Sequence, residues 1–79
     1  MIFDMIRGII AAQTSREAHT ITMDSKIKQD LGVDSLQIFE IVMELEDTFQ
    51  LEIPTEDLDE ITHVSDLVGY IESRRRNNE

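Results

Sequence analysis

Apolar residues recur at helical spacing in three parts of the chain, and this pattern predicts three main helices. The first helix is expected over residues 2–13, where the apolar stripe consists of Ile2, Met5, Ile6, Ile9 and Ile10. The second is expected over about 35–50. The last is expected over about 64–75, where the stripe consists of Val64, Leu67, Val68 and Ile71. No segment shows the alternation typical of a strand, so the pattern indicates an all-α fold.

Polar and proline residues mark where the second helix begins and ends. Asp34 can cap it, and Gln37 stands three residues later as the return partner of a capping box. Pro54 ends the run, because the residue before a proline is pushed out of the helical region. Residues 55–61 then leave room for a short helix, with Thr55 as its cap. We therefore expect a small bundle of three main helices plus one short helix.

A long connection, residues 14–34, separates the first two helices. Connections of this length are unusual in so small a domain and are often functional. Its apolar residues are expected to anchor it to the core; they are Ile21, Met23, Ile27 and Leu31. The length of 79 residues predicts one domain over 1–79, with a frayed polar tail from about residue 74.

The second helix carries two separate apolar sectors. One is an ordinary core stripe formed by Ile38, Ile41, Val42, Leu45 and Phe49. The other consists of Leu36, Phe39 and Met43, and carboxylates border it. One helix cannot turn both sectors toward the same small core, so the second sector is expected to be exposed unless another helix or the long connection covers it. An exposed apolar patch with a charged rim usually marks a protein–protein contact.

The formal net charge of −10 lies entirely in the middle of the chain. Residues 24–60 contain twelve carboxylates against two cations, Lys26 and Lys28. Such a field repels nucleic acid and anionic lipid. It attracts proteins with basic patches, although an acidic surface also serves solubility alone. The carboxylates lack the spacing of a calcium-binding loop, so no metal site is expected.

The chain has no cysteine, which excludes disulfides, thiolate chemistry and cysteine-bound metal. No run of about 18 apolar residues occurs, so no membrane insertion is expected. No basic segment precedes the apolar N-terminal run, as it would in a secretory signal. These features are compatible with a cytoplasmic protein.

Ser35, at the first turn of the second helix, has three possible roles. It could be a helix cap, although Asp34 competes for that role. It could be a nucleophile, but the only histidines are His19 and His63, and no G-x-S-x-G motif surrounds it. It could also carry a phosphate ester, which would lie at the positive end of the helix dipole.

The segment "DLGVDSLQIFEIVMELEDTFQLEIP", residues 30–54, resembles the central part of acyl carrier proteins. Its Asp34-Ser35-Leu36 triplet matches the prosthetic-group motif of that family. The stretches "IRGIIAAQ" and "LEIPTEDLDEITHVSDLVGYI" extend the resemblance over nearly the whole chain. The resemblance implies an acyl-carrier-like four-helix bundle.

The resemblance also implies a function. A separate phosphopantetheinyl transferase would attach 4′-phosphopantetheine from coenzyme A to the Ser35 hydroxyl, within the motif formed with Asp34 and Leu36. The thiol of the arm would carry acyl groups as thioesters between the enzymes of fatty acid or polyketide-type synthesis. The protein would be a cytoplasmic monomer without catalytic activity of its own.

By similarity to the family, two sets of residues have roles besides Ser35. A docking surface for the basic patches of partner enzymes would consist of Leu36, Gln37, Phe39, Glu40, Met43, Glu46, Asp47, Glu56 and Asp59. An acyl-chain cavity would be lined by Ile38, Ile41, Leu45, Phe49, Ile53 and Ile61. Plain core packing is the alternative for this second set.

Three departures from the family pattern bear on partner choice. The loop after the first helix reads "TSREAHT" where a Gly-Val pair is common, Gln37 replaces a common acid, and Phe39 is bulkier than the usual small aliphatic residue. A peptidyl or aminoacyl carrier is an alternative, although the acidic second helix disfavours it. A cofactor-free acidic interaction module is another, and it would tolerate Ser35→Ala.

Overall fold

The computed structural model describes residues 2–77 as a helical bundle. Helix α1 spans Ile2–Thr14, α2 spans Ser35–Phe49 and α3 spans Val64–Asn77. Two 3₁₀ helices accompany them, a single turn at Ala18–Thr20 and a longer one at Thr55–Glu60, called the short helix below. Residues 2–77 include no strand, only an isolated antiparallel bridge between Lys26 and His63. The predicted all-α bundle of three main helices and one short helix is confirmed.

The core lies between the three α-helices and the long connection. Helix α1 contributes Ile6 and Ile10, and the predicted stripe of α3 is buried in full: Val64, Leu67, Val68 and Ile71. Met5, however, is 46% exposed, so the apolar stripe of α1 is not buried over its whole width. Met5 lies at the edge of the stripe, on a surface groove that α1 shares with Glu44 of α2.

The long connection is held to the core by buried side chains, as predicted for Ile21, Ile27 and Leu31. Met23 is 39% exposed and does not act as an anchor. Instead, its carbonyl oxygen accepts a hydrogen bond from the Ser65 N–H at 2.9 Å. The turn at Ala18–Thr20 was not predicted, because three polar or small residues carry no periodic signal.

The short helix is tied to α3 by one carboxylate. Asp57 Oδ2 accepts hydrogen bonds from the Tyr70 hydroxyl at 2.7 Å and from the Arg74 guanidinium at 3.0 Å. Burial and the hydrogen bond to Asp57 raise the pKa of Tyr70 to about 12, so the hydroxyl remains a donor at neutral pH. Thr55 does not cap this helix. Pro54 precedes the first turn, and its carbonyl accepts the Asp57 N–H at 3.0 Å.

Helix α3 continues to Asn77, past its predicted end at about residue 75, and the Arg74 guanidinium donates to Asp57. Residues 78 and 79 lie outside the described residues. None of the helices described is long and apolar enough to cross a membrane.

Candidate functional site at the start of α2

A complete capping box begins α2. Asp34 has an extended backbone (φ −91°, ψ 179°), and its Oδ1 accepts the Gln37 N–H at 2.8 Å. In return, the Gln37 Oε1 accepts the Asp34 N–H at 3.3 Å. The capping box predicted from Asp34 and Gln37 is confirmed, so the capping role belongs to Asp34.

Ser35 is the first residue of α2 and is exposed to solvent. Because Asp34 provides the cap, the Ser35 hydroxyl has no part in capping, and no partner for it occurs in the part of the chain that the structure describes. The backbone N–H groups of a first helical turn point outward and have no partner within the helix. The start of α2 therefore presents a hydroxyl that folding does not use, at the positive end of a helix dipole.

The loop before Ser35 is shaped by a glycine and held by an arginine. Gly32 has φ +65°, a left-handed conformation that favours glycine over any residue with a Cβ. On either side of it, Leu31 and Val33 are buried. The Arg16 Nε donates to the Leu31 carbonyl at 3.2 Å, which holds this loop to the segment after α1. Together these features turn the chain outward just before the start of α2.

A cavity of about 180 Å³ opens beside Ser35. Its walls come from α1, the long connection, α2, the short helix and α3. The apolar side chains that line it are Ile10, Ile27, Ile38, Phe39, Ile41, Val42, Leu58, Ile61 and Leu67. Four polar residues complete the lining: Lys28, Ser35, Thr55 and Asp59. The arrangement places an exposed hydroxyl next to an apolar recess.

The cavity differs in part from the set expected from the sequence. Ile38, Ile41 and Ile61 line it, whereas Leu45, Phe49 and Ile53 do not. Leu45 is fully buried in the core, and the Phe49 ring lies toward α3, where the Arg75 guanidinium is 5.7 Å from its centroid. Leu45, Phe49 and Ile53 lie outside this cavity, and their role in sheltering an acyl chain stays a prediction.

Six apolar lining residues were missing from the set predicted for the cavity: Ile10, Ile27, Phe39, Val42, Leu58 and Leu67. Ile10, Leu58 and Leu67 come from other elements than α2, and only tertiary packing brings them beside Ser35. Val42 could have been found, because it belongs to the core stripe of α2 one position from Ile41. The periodicity of a single helix reports which residues face inward, but not which of them border a void.

The second apolar sector of α2 is exposed, as predicted. Leu36 is 70% exposed, Met43 66% and Phe39 48%, so neither the long connection nor another helix covers them. Phe39 also lines the cavity, which joins the apolar patch to the recess beside Ser35. The exposed carboxylates among the expected docking residues are Glu40, Asp47, Glu56 and Asp59. They lie on α2 and the short helix, along with the apolar patch.

Two of the expected docking residues are half-buried and have structural contacts. The Gln37 side-chain amide donates to the Gln13 carbonyl of α1 at 3.3 Å, in addition to its part in the capping box. The Glu46 Oε2 accepts the Ile53 N–H at 2.8 Å and so holds the segment after α2. Both residues therefore have structural contacts in addition to their predicted place on the docking surface.

The dense carboxylates of this region do not gather into a metal site. Over residues 2–77, no three histidine or acidic side chains stand close enough to hold an ion. Neither histidine lines the cavity beside Ser35. The His63 Nδ1 lies 2.8 Å from the Thr62 hydroxyl, and the His19 Nδ1 lies 3.2 Å from Glu17 Oε2.

Comparison with known proteins gives one consistent result. A sequence model of the family described as "Phosphopantetheine attachment site" matches residues 4–71. A protein of Onion yellows phytoplasma named "Acyl carrier protein" is 48% identical over 71 residues, which cover 90% of this chain and 93% of the relative. A protein of Campylobacter lari with the same name is 40% identical over 75 residues, covering 95% of this chain and 97% of the relative.

Proposed function

The chain belongs to the acyl carrier protein family, and we propose that it carries acyl intermediates on 4′-phosphopantetheine attached to Ser35, for fatty acid or polyketide-type synthesis. Membership of this family implies a covalently bound phosphopantetheine group. The proposal concerns the residue to which this group is attached and the roles of the residues around it.

One observation carries the proposal: the Ser35 hydroxyl is exposed at the start of α2 while Asp34 provides the cap. A phosphodiester at this position meets the positive end of the helix dipole and the first-turn N–H groups that the capping box leaves open, those of Ser35 and Leu36. The residues present therefore fit the group. When bound, it supplies a terminal thiol that holds the acyl chain as a thioester, which explains how a chain without cysteine can act as a carrier.

The cavity beside Ser35 suits an acyl chain. Phe39 stands where the exposed patch meets the recess, and Ile38, Ile41 and Leu58 continue the apolar wall inward. Each methylene group moved from water into such a lining gains about 0.8 kcal/mol. The lining thereby shelters the chain while the protein moves between enzymes.

The face around Ser35 suits basic partner enzymes. The exposed Leu36 and Met43 offer apolar contact, and carboxylates such as Glu40 and Asp47 surround them. A field of one sign steers oppositely charged partners and orients their docking. These partners include the phosphopantetheinyl transferase and the enzymes that build or transfer the acyl chain.

The protein itself has no catalytic role in this proposal. A serine nucleophile needs a general base within hydrogen-bond reach, and the cavity lining around Ser35 includes no histidine. Chemistry therefore belongs to the partner enzymes. We further propose that the carrier acts as a monomer in the cytoplasm, where such enzymes draw on coenzyme A.

The attachment residue can be tested by mass. The purified protein is incubated with coenzyme A and a broad-specificity phosphopantetheinyl transferase, and the intact mass is recorded. We expect one added phosphopantetheine on the wild-type chain and none on Ser35→Ala. Ser65→Ala is the matched control, because Ser65 also lies in the first turn of a helix, next to an aspartate.

Modification of Ser35→Ala would contradict the proposed attachment residue. A folded wild-type protein that accepts no group would favour the cofactor-free interaction module. Circular dichroism of each variant shows that the helical fold is intact, and retained modification of Ser65→Ala shows that a serine-to-alanine change alone does not block the transferase.

A further inference from the structure

We propose that Lys28 is the counter-ion of the phosphodiester on Ser35 and positions the prosthetic arm at the opening of the cavity. This inference rests on the proposed attachment at Ser35. It assigns a role to one of only two cations in the acidic middle of the chain.

The attachment position has an electrostatic problem. A phosphodiester carries a negative charge at neutral pH, and two carboxylates stand near the place where it would be formed. Asp34 immediately precedes Ser35 in the chain, and Asp59 lines the same cavity as Ser35. Like charges at short range repel, and the dipole of the helix offers only a partial positive charge. A full cation on the same cavity wall would balance this charge.

Lys28 has the position that this role requires. It lines the cavity together with Ser35, and no other cation that the structure describes does so. Among the side chains that the structure describes, none forms an ion pair with Lys28 within 4.0 Å, although Asp59 lines the same cavity. An ammonium group has three donors on a flexible stem, which suits a phosphate oxygen whose position changes as the arm moves.

The backbone around Lys28 is held firmly, so the side chain starts from a defined place. Ile27 is buried, and its N–H donates to the Thr62 carbonyl at 2.9 Å. The Ile27 carbonyl in turn accepts the Val33 N–H at 3.4 Å, two residues before Ser35. The residue before Lys28 is thus bonded to both the segment that precedes α3 and the loop that leads into α2.

Lys26 provides a matched comparison within the same segment. It is also exposed and has the same charge, and its backbone pairs with His63. It does not line the cavity. Replacing either lysine by glutamine removes one positive charge from the same acidic region, so any effect of overall charge is shared. An effect seen in the Lys28 variant but not in the Lys26 variant therefore depends on where Lys28 lies.

The test uses the modified protein and phosphorus-31 NMR. Wild type, Lys28→Gln, Lys28→Arg and Lys26→Gln are each loaded by the transferase, and intact mass establishes one added group before any spectrum is recorded. We expect the phosphodiester resonance of Lys28→Gln to shift away from the wild-type position. Lys28→Arg restores most of the wild-type shift, and Lys26→Gln leaves it unchanged. At about 1 M salt, where the Debye length is about 3 Å, the wild-type resonance moves toward that of Lys28→Gln.

The inference would be overturned if the resonances of wild type and Lys28→Gln coincided. An equal shift of the resonance in Lys26→Gln would overturn it as well. Failure of the wild-type chain to accept the group is a different result, because it removes the proposed attachment itself. In the loaded wild-type protein, nuclear Overhauser effects between the Lys28 side chain and the arm give a second readout. Their absence under conditions where contacts from Phe39 to the arm are seen would also count against the role of Lys28.

Discussion

The buried face of α2 and its exposed face contain residues of similar size and polarity in very different surroundings. Leu45 is fully buried and Ile41 is 4% exposed, whereas Leu36 is 70% and Met43 66% exposed on the same helix. Carboxylates flank the exposed face, and the buried one belongs to the hydrophobic core. A list of apolar residues would not separate these two groups.

The difference shows how one helix serves stability and recognition at once. Burial removes apolar area from water and stabilises the fold, so residues on the inner face act on the free energy of unfolding. The outer face keeps its apolar area in water. The free energy of burying that area is therefore gained only when a partner docks. Substitutions on the two faces should therefore change different measurements.

The largest effect is expected from Leu45→Ala. Truncation of a fully buried leucine leaves a cavity and typically costs 2–5 kcal/mol, so we expect a loss of about that size in the free energy of unfolding. Met43→Ala, on the exposed face, should change it by no more than about 0.5 kcal/mol. Urea denaturation followed by circular dichroism measures both. Equal losses in the two variants would mean that the exposed face is covered in solution.

The next effect is on docking. Glu40→Lys places a cation in the acidic border of the exposed face, and a like charge opposite a basic partner costs several kcal/mol. We expect the KM of the phosphopantetheinyl transferase for the carrier to rise at least about tenfold, with the free energy of unfolding nearly unchanged.

Glu72→Lys, at an exposed position of α3, makes the same change in net charge and serves as the control. A similar rise in KM for both variants would show that net charge, rather than the face of α2, controls docking. Met43→Ala should also raise the KM, through the loss of apolar contact.

A smaller effect is expected from removal of the cap that frees Ser35. Asp34→Ala should lower the free energy of unfolding by about 0.5–2 kcal/mol, because it leaves the Gln37 N–H without its acceptor. Asparagine caps a helix as well as aspartate does, so Asp34→Asn should cost much less. Thermal unfolding at one pH compares the two. If both variants were equally destabilised, the charge of Asp34 rather than its hydrogen bond would be the important feature.

The smallest effect is the response to salt. Salt should stabilise the fold but weaken the docking of a basic partner. Screening relieves repulsion among the carboxylates of residues 24–60 and should raise the melting temperature by a few degrees. The same screening weakens attraction to a basic partner and should raise the KM of the transferase. A melting temperature that does not change between about 0.01 and 1 M salt would contradict the first expectation.

Much of this architecture could be predicted from local pattern. The capping box of Asp34 and Gln37, the stripe of α3 and the exposed sector of α2 all depend on spacing within one helix, which the order of residues specifies directly. The errors lie where a residue's surroundings come from elsewhere in the chain. Met5 and Met23 fit apolar spacing but lie at the margins of the core.

Sequence alone determined that the chain forms helices, where α2 begins, and that one of its apolar sectors has no room in the core. These results follow from backbone geometry, in which the spacing of side chains along one helix sets their direction. Only the tertiary structure decided that the cavity excludes Leu45 and includes Leu58, and that Lys28 and Ser35 line the same cavity. A void and its lining depend on how five segments pack together, and no single segment encodes that arrangement.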